Sequence, residues 1–325
     1  MNVVYACNDA YAIYAGVSMY SLMDQNQHME QINVYIFSMK LTQASKEKLQ
    51  LIAQTFHRKI SFIEIGEIKE QLGFYLDTAG YSDAILARLF IGRLLPASVE
   101  RIIYFDCDIV IHDSLQDLWD TKLGDCVLAG VPEFNIHPKI REDLGLDDTM
   151  PYFNSGMLVI DVHRWREENI EAAILENAKL YNGKLNYVDQ DLINLTLKGR
   201  IKILPTRYNF AHFIRYFPYR YILKITPSYA AITEEEVRLA IERPAVIHFL
   251  GDQRPWFRGN HNPYQKYYDH YLALTPWAGT PKIKGKELYM MCFVILNGVT
   301  RVWPGFRVWF YRNIGSKKFK LFGKV

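Results

Sequence analysis

The chain has 325 residues, of which 50% are hydrophobic and 22% charged, and these proportions exclude wholesale disorder. Its net charge of +3 is unevenly distributed, because residues 282–325 contain ten Lys and Arg against one acidic residue, Glu287, which leaves residues 1–281 net negative. An acidic body with a basic tail argues against nucleic-acid binding.

The first 110 residues alternate short apolar runs with longer stretches of helical periodicity. Strands are predicted at residues 3–7, 32–37, 60–65 and 101–105, and helices at residues 10–23, 43–56 and 83–94. Thr42 and Ser82 precede two of these helices and are predicted to be their N-caps. Strands that alternate with helices in this way indicate βαβ units, so we predict an α/β fold with a largely parallel sheet.

The alternation becomes less regular after Asp108. Strands are predicted at residues 127–131, 156–161 and 245–249, and helices at residues 170–180 and 189–197. Residues 207–229 are dense in Tyr, Phe and Pro without a clean period, which predicts an irregular segment wrapped on the core. No internal repeat divides the chain.

The cysteines and the lengths of the apolar segments indicate where in the cell the protein is expected to be. The four cysteines lie far apart, without metal-ligand spacing, and Cys7 and Cys107 fall in predicted buried strands, which indicates reduced core thiols. No basic segment or cleavage site precedes the first strand, so we expect no export signal. The uncharged apolar stretch at 288–300 is shorter than the roughly 20 residues that span a bilayer, and no membrane-spanning helix is expected.

Two carboxylates, Asp106 and Asp108, directly follow the predicted strand 101–105. Ligands bind beyond the carboxyl ends of strands in open α/β sheets, and such a pair can hold a divalent cation that neutralises a phosphate group. A pair with this spacing also arises by chance, and a second one occurs at residues 189–191. A turn that only caps backbone groups therefore stays open as an explanation.

The same pair also matches the nucleophile motif of haloacid-dehalogenase-like phosphatases, in which the first Asp attacks phosphorus and the second is the acid/base. That family opens its domain with the motif, whereas here several βα units precede it. Downstream, Asp147 and Asp148 are the nearest candidates for the remaining acidic pair. GxGxxG, GxxxxGK[ST], GxSxG and HExxH are all absent, which removes the common nucleotide, esterase and zinc-protease motifs.

Seven short motifs occur together in a fixed order. They are ACNDAY at 6–11, ARL at 87–89, YFDCD at 104–108, LQDLW at 115–119, YFNSG at 152–156, DQD at 189–191 and HFLGDQRPW at 248–256. In order and spacing they resemble family 8 glycosyltransferases, which include bacterial lipopolysaccharide galactosyl- and glucosyltransferases and, more remotely, glycogenin. The resemblance spans residues 1–260 and implies one Rossmann-like, nucleotide-sugar-binding GT-A domain with a mixed, mainly parallel central sheet.

The resemblance also implies a site. Asp106, Asp108 and His248 would bind Mn²⁺, with Mg²⁺ as a substitute, and their mixed oxygen and nitrogen ligands suit such a metal. The implied donor contacts are Ala6, Asn8, Asp9 and Tyr11 for uridine, Arg88, Cys107, Gly251 and Arg254 around the phosphates and sugar, and Asn154, Ser155, Asp189 and Gln190 for the hexose. Asp189, Gln190 and Arg254 would be catalytic, with Arg254 stabilising the departing diphosphate.

Each implied role has a purely structural counterpart. His248 is also explained as a core histidine in an apolar strand. Asn8 and Asp9 are explained as a helix N-cap, and Asp189 as an acid favoured by a helix dipole.

Three positions depart from the family pattern. Asn8 replaces a frequent Asp, which changes the contact to the base edge from carboxylate to amide. Arg254 replaces the usual Lys, so a planar fork replaces a compact ammonium. Glu133 stands where Asp is common, and the following loop, 134–150, is unlike the relatives, so the acceptor does not follow from the resemblance.

The basic tail combines its cations with Trp303, Trp309 and several Phe, a composition typical of an interfacial membrane anchor. A solvated tail or a helix packed on the core is the alternative. We predict a catalytic domain at 1–281, with donor-binding and acceptor halves that divide near 110, and a membrane-association tail at 282–325.

The predicted protein is a cytoplasmic, peripheral enzyme on the inner face of the cell membrane, with no nucleic-acid partner. It would move galactose or glucose from a UDP-sugar, with retention, to a saccharide on a lipid-linked glycan such as a lipopolysaccharide precursor. The alternatives are the phosphatase and a non-catalytic scaffold that binds UDP-sugar at the membrane.

Overall fold

Two sheets organise the computed structural model, which describes residues 1–310 except 67, 73 and 79. Their strands are β1 (Asn2–Asn8), β2 (Asn33–Met39), β3 (Lys59–Glu64), β4 (Arg101–Phe105), β5 (Ile109–Ile111), β6 (Leu128–Pro132), β7 (Phe153–Asp161), β8 (Ile201–Ile203), β9 (Phe210–Ala211) and β10 (Val246–His248). The larger sheet has the order β3-β2-β1-β4-β7-β6-β8, and the smaller one the order β5-β10-β9.

Helices cover both faces of the larger sheet and form the C-terminal part of the described chain. They are α1 (Ala12–Gln25), α2 (Gln43–Thr55), α3 (Ile91–Leu94), α4 (Gln116–Trp119), α5 (Pro138–Asp143), α6 (Val162–Glu167), α7 (Ile170–Leu180), α8 (Val188–Thr196), α9 (Tyr219–Ile225), α10 (Glu234–Glu242), α11 (Gln265–Leu274), α12 (Glu287–Val302) and α13 (Pro304–Phe310). Short 3₁₀ segments occur at Asp9–Tyr11, Ile68–Leu72, Asp83–Phe90, Thr206–Asn209, His212–Tyr216 and Pro227–Ala231.

The pairing of the larger sheet is mixed and mainly parallel. β1 pairs in parallel with β2 and β4, β2 with β3, and β6 with β8, whereas β7 runs antiparallel to both β4 and β6. This arrangement confirms the predicted α/β class and its sheet.

The central strands are buried on both faces. Tyr5 and Phe105 contribute to the core on one side of the sheet, and Val4 and Tyr104 to the core on the other. A strand that is covered on both faces needs a continuous apolar run rather than alternation, which is why β1 and β4 were recognisable in the sequence.

Cap chemistry places two helices as predicted. The Thr42 side chain accepts a hydrogen bond from Ser45 N, and the Ser82 side chain accepts one from Ala84 N. The second helix differs from the prediction: residues 83–90 form a 3₁₀ segment before α3 begins. In a 3₁₀ helix side chains three apart lie above one another, so Leu86 and Leu89 share the buried face.

Cys7 and Cys107 are buried and form no disulfide, in agreement with the predicted core thiols. Within the described residues, no helix has both the length and the apolar character needed to cross a bilayer. The last part of the predicted tail, residues 311–325, lies outside the described residues, and with it five of the ten basic side chains.

Candidate functional site

The site forms where the chain leaves the larger sheet. β4 ends at Phe105, and after Asp106 and Asp108 the chain enters β5, which belongs to the smaller sheet. β5 pairs antiparallel with β10, so that His248 lies opposite Ile109, and Phe249 N donates to Asp108 O at 2.9 Å. Asp106 N donates to Gly156 O on β7 at 2.8 Å. The strand exchange therefore brings together residues that are far apart in the sequence.

Asp106, Asp108 and His248 form a candidate metal cluster. Each offers a ligand atom, and these atoms all lie within 4.8 Å of one another. His248 Nε2 lies 3.2 Å from Asp108 Oδ1, and both side chains are buried, while Asp106 is partly exposed. Two carboxylates and one imidazole at this separation fit a divalent cation of the manganese or magnesium type.

The hydrogen-bond network determines which nitrogen of His248 carries a proton. Gly156 N can only donate, so the atom of Asn154 it reaches at 2.9 Å is the oxygen, and this oxygen also accepts from Asn209 Nδ2 at 2.8 Å. Asn209 Oδ1 therefore faces His248 Nδ1, at 2.9 Å, and Nδ1 is the donor. In the neutral ring the lone pair is then on Nε2, the atom that faces Asp108.

Gly156 leaves the space that this cluster occupies. A Cβ at this position would lie 2.4 Å from His248 Cε1, 2.8 Å from Asp106 Oδ2 and 3.0 Å from Asn154 Oδ1. Any larger residue at position 156 would therefore push the His248 imidazole and the Asp106 carboxylate apart. Absence of a side chain is therefore a requirement of the cluster itself.

Arg88 connects the cluster to a third acidic residue, Asp189. Its guanidinium lies 2.6 Å from Asp106 Oδ1 and 3.1 Å from Asp189 Oδ2, and it donates to Ser155 O at 2.7 Å and to Ser155 Oγ at 3.1 Å. The side chain is buried, and its guanidinium stacks on the Tyr104 ring at 4.4 Å. Arg88 thus holds both carboxylates in fixed positions.

The carboxylates of the site have separated pKa values. Burial raises the pKa of Asp189 to about 6, although the nearby Arg88 guanidinium opposes the shift. Burial also acts to raise the pKa of Asp108, but His248 and Arg254 outweigh it and lower that pKa to about 2. Burial acts to lower the pKa of His248, and the Asp108 carboxylate reverses this into a net rise. Asp108 is therefore the permanent anion of the site.

Asp189 and Gln190 lie in the first turn of α8 and face β7. Asp189 Oδ2 accepts from Ser155 Oγ at 2.9 Å, while Gln190 Oε1 accepts from Ser155 N at 3.0 Å and its Nε2 donates to Tyr152 at 3.2 Å. The preceding residue, Val188, has a φ of +31°, which is rare for a β-branched residue. This strained start directs both side chains into the site.

Asn154 is shared between the cluster and a buried acid. Its Nδ2 donates to Glu133 Oε2 at 2.9 Å, and burial raises the pKa of Glu133. Glu133 lines a small pocket together with Asn154 and His248. Asp191, which also lies on α8, accepts a hydrogen bond from Tyr152 at 2.5 Å and is fully buried, so its role is structural.

The predicted uridine-binding residues lie at the carboxyl end of β1. Asn8 Oδ1 accepts from Tyr11 N at 3.1 Å, as expected of a cap, and Asn8 Nδ2 donates to Ser82 at 3.3 Å. Asp9 Oδ1 accepts from Thr42 N and Thr42 Oγ1, both at 2.8 Å, so it connects β1 to α2. These contacts give Asn8 and Asp9 structural roles whatever they bind.

Backbone and aromatic groups complete this end. Ala6 O accepts from Cys107 Sγ at 3.4 Å, and the Tyr11 ring is 36% exposed, accessible to a stacking base. Arg254 lies across the same opening. Its Nη1 lies 3.3 Å from Tyr11 Oη and 3.4 Å from Asp108 Oδ2, and its Nε donates to Gly251 O at 2.9 Å. Gly251 has a φ of +83°, which favours glycine at this turn.

The structure thus brings the candidate metal cluster, Arg88, Ser155, Asp189 and Arg254 into one network. Sequence reasoning missed Asn209, which orients His248, and assigned no role to Gly156 although its motif was recognised. It also missed Tyr81, a half-exposed ring whose pKa is raised by burial and by the nearby Asp189 carboxylate. Asn209 lies in the aromatic segment without periodicity, where no pattern marks it. For Gly156, the glycine within an apolar strand was the available signal.

Comparisons with known proteins agree with this geometry. The family model described as Glycosyl transferase family 8 matches residues 2–259. General stress protein A of Bacillus subtilis is 27% identical over 288 residues, which are 87% of this chain and 97% of that protein. A lipopolysaccharide 1,2-glucosyltransferase of Escherichia coli K12 is 26% identical over 279 residues, 85% of this chain and 79% of its own length.

A solved structure has the same fold. The galactosyltransferase LgtC, determined in complex with donor and acceptor sugar analogues, superposes with a TM-score of 0.71 at 25% identity. The match covers 85% of this chain and 96% of that one. The mixed sheet described above is therefore the sheet of a known group of sugar-transferring proteins.

Proposed function

Because the chain belongs to glycosyl transferase family 8, we propose that it transfers galactose or glucose from a UDP-sugar to a saccharide acceptor, with retention at C1 and with a divalent cation. The observation that carries the proposal is the convergence of Asp106, Asp108 and His248 within 4.8 Å at the carboxyl end of β4. The similarity to a lipopolysaccharide 1,2-glucosyltransferase and to the galactosyltransferase LgtC supports the choice of hexose.

The residues fit Mn²⁺, with Mg²⁺ as a substitute. Asp106 and Asp108 would supply oxygen and His248 its Nε2, and Gly156 leaves the room they need. Bound there, the cation would neutralise the diphosphate of the donor. Asn209 contacts Nδ1 of His248 and is itself held by Asn154, and this pair would keep Nε2 directed at the cation.

The protein's own residues would hold the rest of the donor. Tyr11 offers a ring to the uracil, and Asn8 an amide to its edge. Arg254 lies beside Oδ2 of Asp108, whereas His248 lies beside Oδ1. Arg254 would bind the β-phosphate and stabilise the negative charge that develops as UDP departs. Asp189 would accept a hydrogen bond from a hexose hydroxyl, since its carboxylate is fixed by Arg88 and Ser155.

In the transfer, the bond between C1 of the hexose and the β-phosphate oxygen breaks, and its electron pair leaves with UDP. The acceptor hydroxyl forms the new bond to C1, and its proton passes to the released UDP or to solvent. Gln190 would lie beside C1, but its amide is uncharged and both of its polar atoms are engaged within the protein, so it orients rather than attacks.

A thermal-shift panel tests donor and metal together. UDP-galactose or UDP-glucose should raise the melting temperature with Mn²⁺ and much less in EDTA, and UDP should be released slowly in the presence of the metal. D108N should lower this UDP release at least 100-fold, because the site loses its permanent anion. D117N removes an exposed carboxylate elsewhere and should behave as wild type. A protein that neither binds nor hydrolyses either donor would contradict the proposal.

The same assay separates the alternatives. Metal-dependent release of phosphate from phosphomonoesters would favour the phosphatase, which uses Asp106 as nucleophile. Donor binding without any UDP release would favour the non-catalytic scaffold. The intact Asp189 and Gln190 contacts with Ser155 support the enzyme, because a scaffold has no need of them.

We further propose that residues 1–281 are the catalytic domain and that residues 282–325 attach it to the inner face of the cell membrane. Along α12, Leu288, Met291 and Ile295 are 71%, 52% and 61% exposed and recur on one side, whereas Phe293 and Asn297 on the other side are buried. An outward apolar stripe among basic residues suits an anionic lipid surface. Such a position supports a lipid-linked glycan as the acceptor.

A further inference from the structure

The helices α12 and α13 lie beyond residues 2–259, the part that the family model matches, and yet α12 contacts the loop that carries Arg254. Tyr289 and Asn297 of α12 hydrogen-bond to Asp252 and Gln253 within residues 250–256, the Arg254 loop, and Arg307 of α13 hydrogen-bonds to Asn297. We propose that this helix pair is a positioning device for Arg254 and that Asn297 is its central residue. The inference rests on the proposed function, because it assumes that Arg254 binds the donor β-phosphate.

A buried chain of hydrogen bonds joins the helices to the loop. Arg307 Nη1 on α13 donates to Asn297 Oδ1 at 2.7 Å, and Asn297 Nδ2 donates to Gln253 Oε1 at 3.0 Å. Arg307, Asn297 and Gln253 are only 3%, 8% and 3% exposed. Because a guanidinium can only donate, it orients the amide of Asn297 and thereby the side chain next to Arg254.

The loop is also held along its backbone and at its outer edge. Asn260 Nδ2 donates to Arg254 O at 2.7 Å, and Asn262 Nδ2 donates to Gln253 O at 3.3 Å. On the outer edge, Tyr289 of α12 donates to Asp252 Oδ2 at 3.0 Å. The consecutive residues Asp252, Gln253 and Arg254 are therefore each held by a hydrogen bond, while the guanidinium of Arg254 faces Asp108.

A polar chain at this place does more than pack the helix. Met290 and Phe293 already bury apolar surface of α12, and an aliphatic residue at 297 would add to it. Buried amides and a guanidinium need matched partners, and so they specify one arrangement of helix and loop. The arrangement they specify determines where Arg254 stands, and misplacing such a group by about 1 Å costs about 100-fold in rate.

N297A in the full-length chain tests the proposal. With Mn²⁺, its affinity for UDP should fall at least tenfold. Its kcat should also fall, so that saturating donor does not restore the wild-type rate. Its affinity for UMP, which lacks the β-phosphate, should stay within twofold of wild type. If Asn297 only stabilised the fold, N297A would weaken the binding of UDP and of UMP by the same factor.

The matched control is T300V. Thr300 lies on the same helix and is fully buried, but its hydroxyl donates only within the helix, to Leu296 O. T300V should bind UDP as wild type does. If Asn297 acts on Arg254 by way of Gln253, Q253M should lower UDP affinity as much as N297A does. The double variant should then bind UDP no more weakly than either single variant.

The outcomes separate the two proposals. If wild type binds no UDP with Mn²⁺, the proposed function fails. If wild type binds UDP and N297A binds it equally well, or if N297A loses UMP in proportion, the positioning role is wrong. Should N297A not fold, Y289F removes the partly exposed hydroxyl that donates to Asp252, and UDP affinity equal to wild type in Y289F would then overturn the role.

Discussion

Gly156 lies on β7 directly beneath the candidate metal ligands. A Cβ there would stand 2.4 Å from His248 Cε1, a separation that real structures do not tolerate, and the neighbours are functional groups rather than flexible chain ends. We expect G156A to push His248 and Asp106 apart, to lower the affinity for Mn²⁺ at least tenfold, and to destabilise the fold by about 2 kcal/mol through overpacking. Calorimetric titration with MnCl₂ measures the first effect.

Gly130, on the adjacent strand β6, is the matched control. A Cβ there would meet Leu158 Cδ2 at 3.2 Å, which is tight, but the side chains it would meet are apolar and none is a candidate metal ligand. G130A should therefore lose some stability and keep its metal affinity. If G156A bound Mn²⁺ as tightly as G130A does, the space left by Gly156 would have no part in the cluster.

Asp189 makes the stability of the protein depend on pH. Burial raises its pKa from 3.8 to about 6, so its ionised form costs folding free energy. This cost is absent below pH 3.8, grows as the pH rises to 6, and is constant above it. Asn has no charge at any pH. We therefore expect the free energy of unfolding of D189N, relative to wild type, to rise by about 1 kcal/mol between pH 5 and pH 8.

Urea unfolding in EDTA at the two pH values measures this difference, since the chelator keeps metal from the neighbouring carboxylates. A difference between D189N and wild type that does not change with pH would mean that the carboxyl group is not held in a costly ionised state. The sign matters as much as the size, because an Asp stabilised mainly by Arg88 would give the opposite trend.

Between elements, Asp9 joins the end of β1 to the start of α2. Its Oδ1 accepts from both the backbone and the hydroxyl of Thr42, and these bonds lower the pKa of Asp9. We expect D9A to lower the free energy of unfolding by about 1 kcal/mol, the low end for a lost charged hydrogen bond, because the site is exposed. D9N keeps an acceptor oxygen and should lose less than half as much, as measured by urea midpoints. Equal losses would show that the charge, not the acceptor, maintains the junction.

How far the elements follow from the sequence depends on the length of the pattern. Arg101–Phe105 and Ile170–Leu180 were predicted to the residue, because each is a periodic or apolar run with polar flanks. The three-residue strands β5 and β8 were not predicted, since they are too short for a period to be visible. For β5 the omission matters, because its pairing with β10 is what delivers His248 to Asp108.

The candidate site divides in the same way. Asp106, Asp108 and His248 were found because motifs mark them. Asn209 and Arg307 were not, because their roles exist only as contacts with residues distant in the sequence. Motif spacing carries information about groups that meet the ligand, whereas the groups that orient them depend on tertiary packing.

The whole molecule is electrically polarised. Residues 1–281 are net negative, whereas residues 282–325 carry ten Lys and Arg with a single acid. An anionic membrane would repel the body and attract the C-terminal end, and α12 presents its exposed apolar stripe at that same end. The two effects favour one orientation, in which the C-terminal helices face the lipid.

Vesicle binding of the full chain tests this orientation. Wild type should sediment with vesicles that contain phosphatidylglycerol and not with neutral ones, and raising the salt from 0.05 to 0.5 M should weaken binding, because screening shortens the electrostatic range. M291S/I295S removes two exposed side chains of the stripe and should weaken binding about tenfold, since each buries apolar surface in the lipid. L51S/L239S removes two exposed leucines on α2 and α10 and should bind like wild type. Equal binding by both double variants would mean that charge alone, without the stripe, attaches the protein, and equal binding to neutral vesicles would contradict the electrostatic half of the argument.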